Sequence, residues 1–314
     1  LLYAADIALL PLVSRLYRCY DVEVSVLRLD QVHPLVSGNK WFKLKPALTQ
    51  ALALQRPVLS FGGAWSNHIH ALAYAGWQAG IKTIGVIRGE PEYAANAMLS
   101  DAQRWGMQLE FVDRSTYRLR DCRDFQRQLA SIHGGALVVP EGGSSAAAVH
   151  SVAEIWQLPC LQNQPVDLLL TAVGSGGTLA GLVAGKPAGT HVLGVPVLKW
   201  GGEMPIKINA LLETAGYAGA TGWSLLGDAH RGGYARLDAE LAALIEMLGA
   251  RHRLPLDPVY TAKLVMAFNR LLLAGQVAAG SRVVLVHSGG LQGVRGQQQR
   301  LSSLAPAFNG PLTV

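Results

Sequence analysis

Short, unbroken apolar runs recur along the chain and alternate with longer stretches of mixed polarity. The runs are 22–29 (VEVSVLRL), 57–61 (PVLSF), 83–88 (TIGVIR), 136–139 (ALVV), 166–172 (VDLLLTA), 191–195 (HVLGV) and 282–287 (RVVLVH). Most are continuously apolar and do not alternate with polar residues. That is the mark of strands covered on both faces, as in a parallel sheet. Helices are expected between them, over 41–54, 66–79, 94–105, 120–131, 144–157, 177–185, 204–214, 236–249 and 259–274. Strands alternating with helices predict an α/β architecture. No fixed-period repeat and no low-complexity tract interrupts the pattern. The segment QLPCLQNQP (157–165) reads as a surface connection that marks a domain crossing, and KPAGTH (186–191) as a shorter turn.

Composition supports this picture. Of 314 residues, 50% are hydrophobic and 15% charged, so a large core is available and disorder is not expected. The formal net charge is +6, but the basic residues are scattered and form no run with interleaved aromatics, so no nucleic-acid partner is expected. A small anionic ligand fits such a balance equally well. Cys19, Cys122 and Cys160 are widely spaced and odd in number, which argues against a disulfide framework and makes a reducing cytoplasm the default expectation. The first twenty residues lack a basic start before their short apolar part, and Asp6 and Pro11 interrupt it, so they read as part of the fold. No stretch of 18 apolar residues predicts a membrane helix.

Chemistry gathers where the apolar runs end. In TAVGSGGTLAGL (171–182) a strand runs into a glycine-rich turn, and a helix is expected to start near Thr178. Small residues there let backbone N–H groups approach an anion, and the helix start adds partial positive charge. The glycine spacing fits neither a Walker loop nor the dinucleotide fingerprint. In SFGGAWSNHIHALA (60–73), Ser66 and Asn67 stand at a helix start, either as an ordinary cap or with the same N–H groups holding a carboxylate. His68 and His70 are two residues apart and point to different helix faces, so no metal pair is expected. In LDPVYTAK (256–263), Asp257-Pro258 marks a helix start and places Tyr260 early in it, where a packed core tyrosine is the alternative. In VLVHSGG (284–290), Ser288 follows a strand end, while His287 could be a satisfied histidine near the sheet. Finally, SGNKWFKLK (37–45) sets Lys40 where a Gly-Asn turn meets an apolar run, the setting of a lysine meant to react. In open α/β sheets ligands bind beyond the carboxyl ends of strands. A phosphate cup, a set-apart lysine and no nucleotide fingerprint together point to pyridoxal phosphate, whose aldehyde takes a desolvated lysine and whose phosphate takes a glycine cup.

With these residues assembled, the chain resembles the 1-aminocyclopropane-1-carboxylate (ACC) deaminase / D-cysteine desulfhydrase family, over nearly its whole length and with six motifs in order. The resemblance implies the tryptophan-synthase-β-like fold, fold type II of the pyridoxal phosphate enzymes. That fold has two three-layer open-sheet domains of mostly parallel strands with helices on both faces. The implied division is a large domain of 1–45 and 154–314 and a small inserted domain of 46–153. SGNK matches the family's Schiff-base lysine motif, which makes Lys40 that lysine, with Lys43 one helical turn on, near the phosphate. SNH matches a step in which Ser66 faces the substrate, Asn67 partners the cofactor's ring hydroxyl, and the helix start through His68 holds the substrate carboxylate. GSGGTLAG matches the phosphate loop, implying Gly174, Ser175, Gly176, Gly177 and Thr178 as its residues. LDPVYT and HSGG match the C-terminal active-site elements, which implicates Tyr260, Thr261 and Ser288. Tyr234, in RGGYARLD, is a looser match. A homodimer is implied as well.

ACC deaminases carry Glu and Leu where this chain has Thr261 and Ser288, and desulfhydrases carry small hydroxyl residues there. A carboxylate beside the pyridine nitrogen makes a deeper electron sink than a hydroxyl, and opening a cyclopropane needs more of it than losing hydrosulfide does. The expected enzyme is therefore a deaminating lyase, or a hydrolase by class, acting on a small amino acid by α-proton removal and β-elimination. D-Cysteine would give pyruvate, hydrogen sulfide and ammonia, with Lys40 or a nearby group as base and Ser66, Tyr234 and Tyr260 assisting proton transfers. An ACC deaminase is the first alternative, and a pyridoxal phosphate or amino-acid binding protein with little catalysis is one of another class. Trp41, Phe42 and Lys45 depart from the family pattern, which leaves substrate size and handedness open.

Overall fold

The computed structural model describes residues 6–307 apart from 163, 201 and 228. Ten strands form two sheets: β1 (Leu9–Pro11), β2 (Glu23–Leu27), β3 (Val58–Gly63), β4 (Thr83–Arg88), β5 (Gln108–Val112), β6 (Leu137–Val139), β7 (Leu168–Val173), β8 (His191–Pro196), β9 (Trp223–Leu225) and β10 (Arg282–Val286). The larger sheet has the order β1-β2-β10-β7-β8-β9, and the smaller has the order β5-β4-β3-β6. Every pairing is parallel except β1 with β2. Two clusters of buried apolar residues lie on the faces of the larger sheet and two on those of the smaller, so both sheets are covered by helices on both sides. The expected α/β class and the fold of mostly parallel sheets both hold.

Each of the seven apolar runs contains a strand, and the reason is burial. Along β3 the first five residues are buried, and along β10 the last four are. The three strands that the pattern does not predict, β1, β5 and β9, all stand at sheet edges. An edge strand has a neighbour on one side only and needs no continuous apolar run. No residue of β5 (QLEFV) is fully buried. The nine expected helices are present, with 144–157 split into an α-helix Ala146–Ala153 and a 3-10 turn Glu154–Gln157. Three short helices, Arg15–Cys19, Arg114–Tyr117 and Gln298–Leu304, carry no clear period and are additions. The helix expected from 259 begins at Thr261. Asp257 causes the delay, because its carboxylate accepts hydrogen bonds from the backbone N–H of Val259, Tyr260 and Thr261 at 3.0, 2.7 and 2.9 Å and holds that stretch as a turn.

The geometry that places Lys40 begins at the carboxyl end of β2. Arg28 and Asp30 form a buried, two-pronged pair at 2.8 and 2.7 Å. Ser37 Oγ donates to the Asp30 carbonyl at 3.0 Å, and Gly38 N–H donates to the Leu29 carbonyl at 3.0 Å. Asn39 N–H then donates to the Ser288 carbonyl at 3.1 Å, tying this turn to the loop after β10. Gly38 has φ +69°, and a Cβ placed on it would lie 1.8 Å from the Ser288 carbonyl oxygen. Only glycine lets the two loops cross at this depth. The helix Asn39–Leu54 starts directly from the crossing. Gly38→Ala is expected to lower unfolding free energy by more than about 3 kcal/mol, since it combines left-handed strain with a backbone clash. Urea unfolding measures this, and a loss below about 1 kcal/mol would mean the crossing is not tight.

Candidate active site

A cavity of ≈ 1010 Å³ opens where the loops after β3, β6, β7 and β10 meet the start of the helix Asn39–Leu54. Lys40, Lys43, Ser66, Asn67, His68, Gly174, Ser175, Gly176, Thr178, Tyr234, Tyr260 and Ser288 all line it. Two sequence-predicted residues stand behind the wall. Gly177 is buried against Ser144, and Thr261 is 1% exposed. Residues from both sheets thus converge on one space.

Lys40 and Lys43 lie one helical turn apart. Lys40 is reached only from the cavity, and its Nζ donates to Asn39 Oδ1 at 2.9 Å. Burial pushes its ammonium down to about 8, with the Asp257 carboxylate opposing the shift. Lys43 is 3% exposed and is pushed well below the usual lysine range by burial and then by the charge of Lys40. Its Nζ donates to Ser144 Oγ at 2.9 Å and to Ser175 Oγ at 3.3 Å. The two hydroxyls are 2.7 Å apart. Two buried ammonium groups with neutral neighbours call for an anion.

The turn after β7 is built to take one. Gly176 has φ +89° and starts the helix Gly177–Gly185 without a side-chain cap. Its first N–H groups therefore remain for a ligand, at the positive end of the helix. The helix spans the expected 177–185. A Cβ on Gly177 would lie 2.5 Å from Ser144 Oγ and 3.1 Å from Lys43 Nζ, so only glycine admits this lysine and hydroxyl to the cup. Thr178 Oγ1 accepts from Asn39 Nδ2 at 2.6 Å, joining the cup to the residue beside Lys40. Two further polar atoms, Asn67 Oδ1 and Thr261 Oγ1, are buried and have no hydrogen-bond partner within the protein. A cup for a dianion, a depressed lysine and orphaned polar atoms fit pyridoxal phosphate.

Ser66 caps the helix Asn67–Ala79. Its Oγ accepts from Ile69 N–H at 3.2 Å as an N-cap, and the residue lines the cavity. His68 sits 3% exposed with Nε2 at 2.8 Å from Ser60 Oγ, and burial and the two lysine charges keep it neutral. His70 turns the other way, to Asp101 at 3.3 Å. His287 is a satisfied core histidine: its Nε2 is 2.7 Å from the Pro255 carbonyl, and its Nδ1 accepts from Gly289 N–H at 3.2 Å. The Tyr234 and Tyr260 hydroxyls are 3.4 Å apart. Burial raises both above the ordinary tyrosine value, so both stay protonated at neutral pH.

The departures from the family pattern lie outside the cavity. Trp41 stacks on His33 at 5.8 Å, Phe42 is buried in the core, and Lys45 pairs on the surface with Glu154 at 2.6 Å. The sequence reading missed Ser144 and its loop, 141–144. Its signal was present, because EGGSS follows a strand and precedes a helix just as GGAWSN and GSGGT do. Glu141 in that loop accepts from Tyr117 Oη and Arg120 Nε, both at 2.7 Å. Asn39, read as a turn residue, is also the hydrogen-bond link between Lys40 and Thr178.

Comparisons with known proteins agree with the expected fold and cofactor. A protein of Pyrococcus furiosus named as a candidate 1-aminocyclopropane-1-carboxylate deaminase is 29% identical over 304 residues, covering 93% of this chain and 91% of its own. A D-cysteine desulfhydrase of Klebsiella pneumoniae is 26% identical, covering 85% and 87%. The solved structure of an ACC deaminase homologue superposes with a TM-score of 0.84 at 25% identity, over 97% of this chain and 95% of that one. A threonine deaminase from Solanum lycopersicum, at 16% identity and a TM-score of 0.66, shares the fold. None of these supports the hydrolase class. Residues 8–289 match the family described as pyridoxal-phosphate dependent enzymes, and the chain belongs to that family.

Proposed function

We propose that the protein is a deaminating lyase that removes the α-proton of a small amino acid and expels a group from Cβ, with D-cysteine as its substrate. The observation that carries this reading is the Lys40 amine, depressed to about 8 and opening into the same cavity as the anion cup. The cofactor, pyridoxal phosphate, supplies an electron sink for the charge left at Cα. Lys43, Ser144 and Ser175, with the N–H groups at the start of the helix Gly177–Gly185, would hold its phosphate. Asn67 and Ser288, which line the cavity, would meet its ring, with Thr261 standing behind the wall. The helix start at Ser66–His68 would take the substrate carboxylate through the N–H groups of Asn67 and His68, since that of Ser66 donates to the Gly63 carbonyl at 3.0 Å. Lys40 Nζ loses its proton at about pH 8, far below an ordinary lysine, and its neutral form can then accept one from Cα. Tyr234 and Tyr260 remain protonated and can donate to a departing group.

The choice of D-cysteine over ACC rests on Thr261 and Ser288. The nearby carboxylate, Asp257, is taken up by three backbone N–H groups, which leaves hydroxyls at these positions. The names of the relatives support both substrates, so ACC is the comparison to run. A small inserted domain of 46–153 is part of this reading, supported by the four-stranded sheet lying within that span. So is a homodimer. Among the described residues no helix is long and apolar enough to cross a membrane.

Three outcomes are expected. Protein loaded with pyridoxal phosphate releases sulfide and pyruvate from D-cysteine and little 2-oxobutanoate from ACC, and the reverse result would move the assignment to ACC deaminase. Lys40→Ala lowers turnover by at least ~10³-fold; residual activity near wild type would remove the lysine from the chemistry. Only the neutral amine of Lys40 reacts, so covalent uptake of pyridoxal phosphate by the cofactor-free protein should rise about tenfold per pH unit below about 8 and level off above it. A profile flat across that range, read by stopped-flow absorbance, would contradict the depressed lysine.

A further inference from the structure

Lys263 is a charged residue where the fold would accept an apolar one. It lies on the helix Thr261–Leu273, one turn after Tyr260, and is 0% exposed. Its Nζ donates to two neutral carbonyls, of Gly233 at 2.7 Å and His230 at 3.0 Å. Burial lowers its ammonium to about 8, with Asp257 opposing, so it remains largely charged at neutral pH. Burying an ammonium costs several kcal/mol unless its protons are used. Both carbonyls that use them belong to the segment leading into Tyr234.

Within that segment the same two carbonyls also close turns, accepting from Gly233 N–H at 3.1 Å and Arg236 N–H at 3.3 Å. Residues 229–238 hold no helix or strand, and four residues around Tyr234 are left-handed: Arg231 at φ +49°, Gly232 at +86°, Gly233 at +130° and Ala235 at +54°. Arg231 and Ala235 are not glycine, so each is strained in this conformation. Such strain persists only where surroundings enforce it. The far side is held by Arg231, which pairs with Asp238 at 2.6 Å and Glu240 at 2.7 Å. Among the described residues no ion pair holds the Tyr234 side chain. It is 48% exposed, and its aromatic neighbour is the edge of Tyr260, with ring centres 6.2 Å apart. Its hydroxyl is placed by the backbone that carries it.

We propose that Lys263 is a positioning residue for Tyr234, its ammonium clamping the carbonyls of His230 and Gly233 so that the Tyr234 hydroxyl stands beside that of Tyr260. One helix start then supplies both one tyrosine of the pair and the clamp that sets the other. The clamp rests on the reading of Tyr234 as a residue of the reaction. The placement of the segment does not depend on that reading.

The test uses full-length protein loaded with pyridoxal phosphate. Hydrogen exchange of residues 229–238 should quicken at least ~10-fold in Lys263→Met while the strands of both sheets keep their protection. Unchanged exchange there would overturn the proposal. With D-cysteine as probe, Lys263→Met should lower kcat about 10- to 100-fold, as expected for a displaced group. In a Tyr234→Phe background the same change should cost less than about twofold. Equal losses in both backgrounds would also overturn it, since a general structural defect would be additive. Should Lys263→Met fail to fold, Lys263→Gln, which keeps neutral donors on a shorter stem, enters the same cycle. If the wild-type protein releases no sulfide from D-cysteine, the substrate assignment fails, and the exchange measurement still decides the clamp.

Discussion

Two ammonium groups, Lys40 and Lys43, share one buried stretch of one helix, three residues apart, and among the described residues no carboxylate touches either. Each is disfavoured by burial, and Lys43 also by its neighbour's charge. Such a pair is tolerable only where donors find partners and where an anion can enter. The surrounding structure meets both needs. Ser144, Ser175 and Asn39 accept the lysine protons, and the uncapped start of the helix Gly177–Gly185 adds N–H donors and the positive end of a helix. Gly177 and Gly143 stand against Lys43, where an added Cβ would lie 3.1 and 3.4 Å from its side chain.

Holding these groups together requires the two sheets to meet at their carboxyl ends. The larger sheet contributes the cup after β7, Tyr260, Ser288 and the crossing at Gly38. The smaller contributes the helix start at Ser66–His68 and the loop 141–144. The contacts between the two sets are polar and close-packed. Asn67 lies against Gly290 and Gly293, and Arg295 reaches Asp101 at 2.7 Å. Small shifts between the sheets would therefore move both the cup and the helix start that faces it.

Proton placement follows from the same burial. It lowers the lysine amines, keeps His68 neutral and keeps both tyrosines protonated. A cavity with one lysine amine lowered to about 8 and two intact phenol donors suits proton removal at one atom and donation at another. Trp41, Phe42 and Lys45, which looked able to change the substrate, instead pack on His33, fill the core and pair on the surface.

The sequence by itself determined what depends on near neighbours. Strands buried on both faces are written as apolar runs, and strand ends as glycine pairs followed by hydroxyl residues. A lysine behind a Gly-Asn turn reads as reactive because those three residues set its local path. Edge strands such as β5 were not legible, since one-sided pairing asks little of composition. Ser144 carried the same loop signal as its counterparts, but its importance lies in a contact with Lys43 across 101 positions. Tertiary structure alone decided that contact, the link from Asn39 to Thr178, the approach of Gly38 to Ser288 and the hold of Lys263 on the Tyr234 segment. The reason is physical: charge burial and hydrogen-bond satisfaction depend on which atoms arrive together in space, and separation along the chain does not encode that.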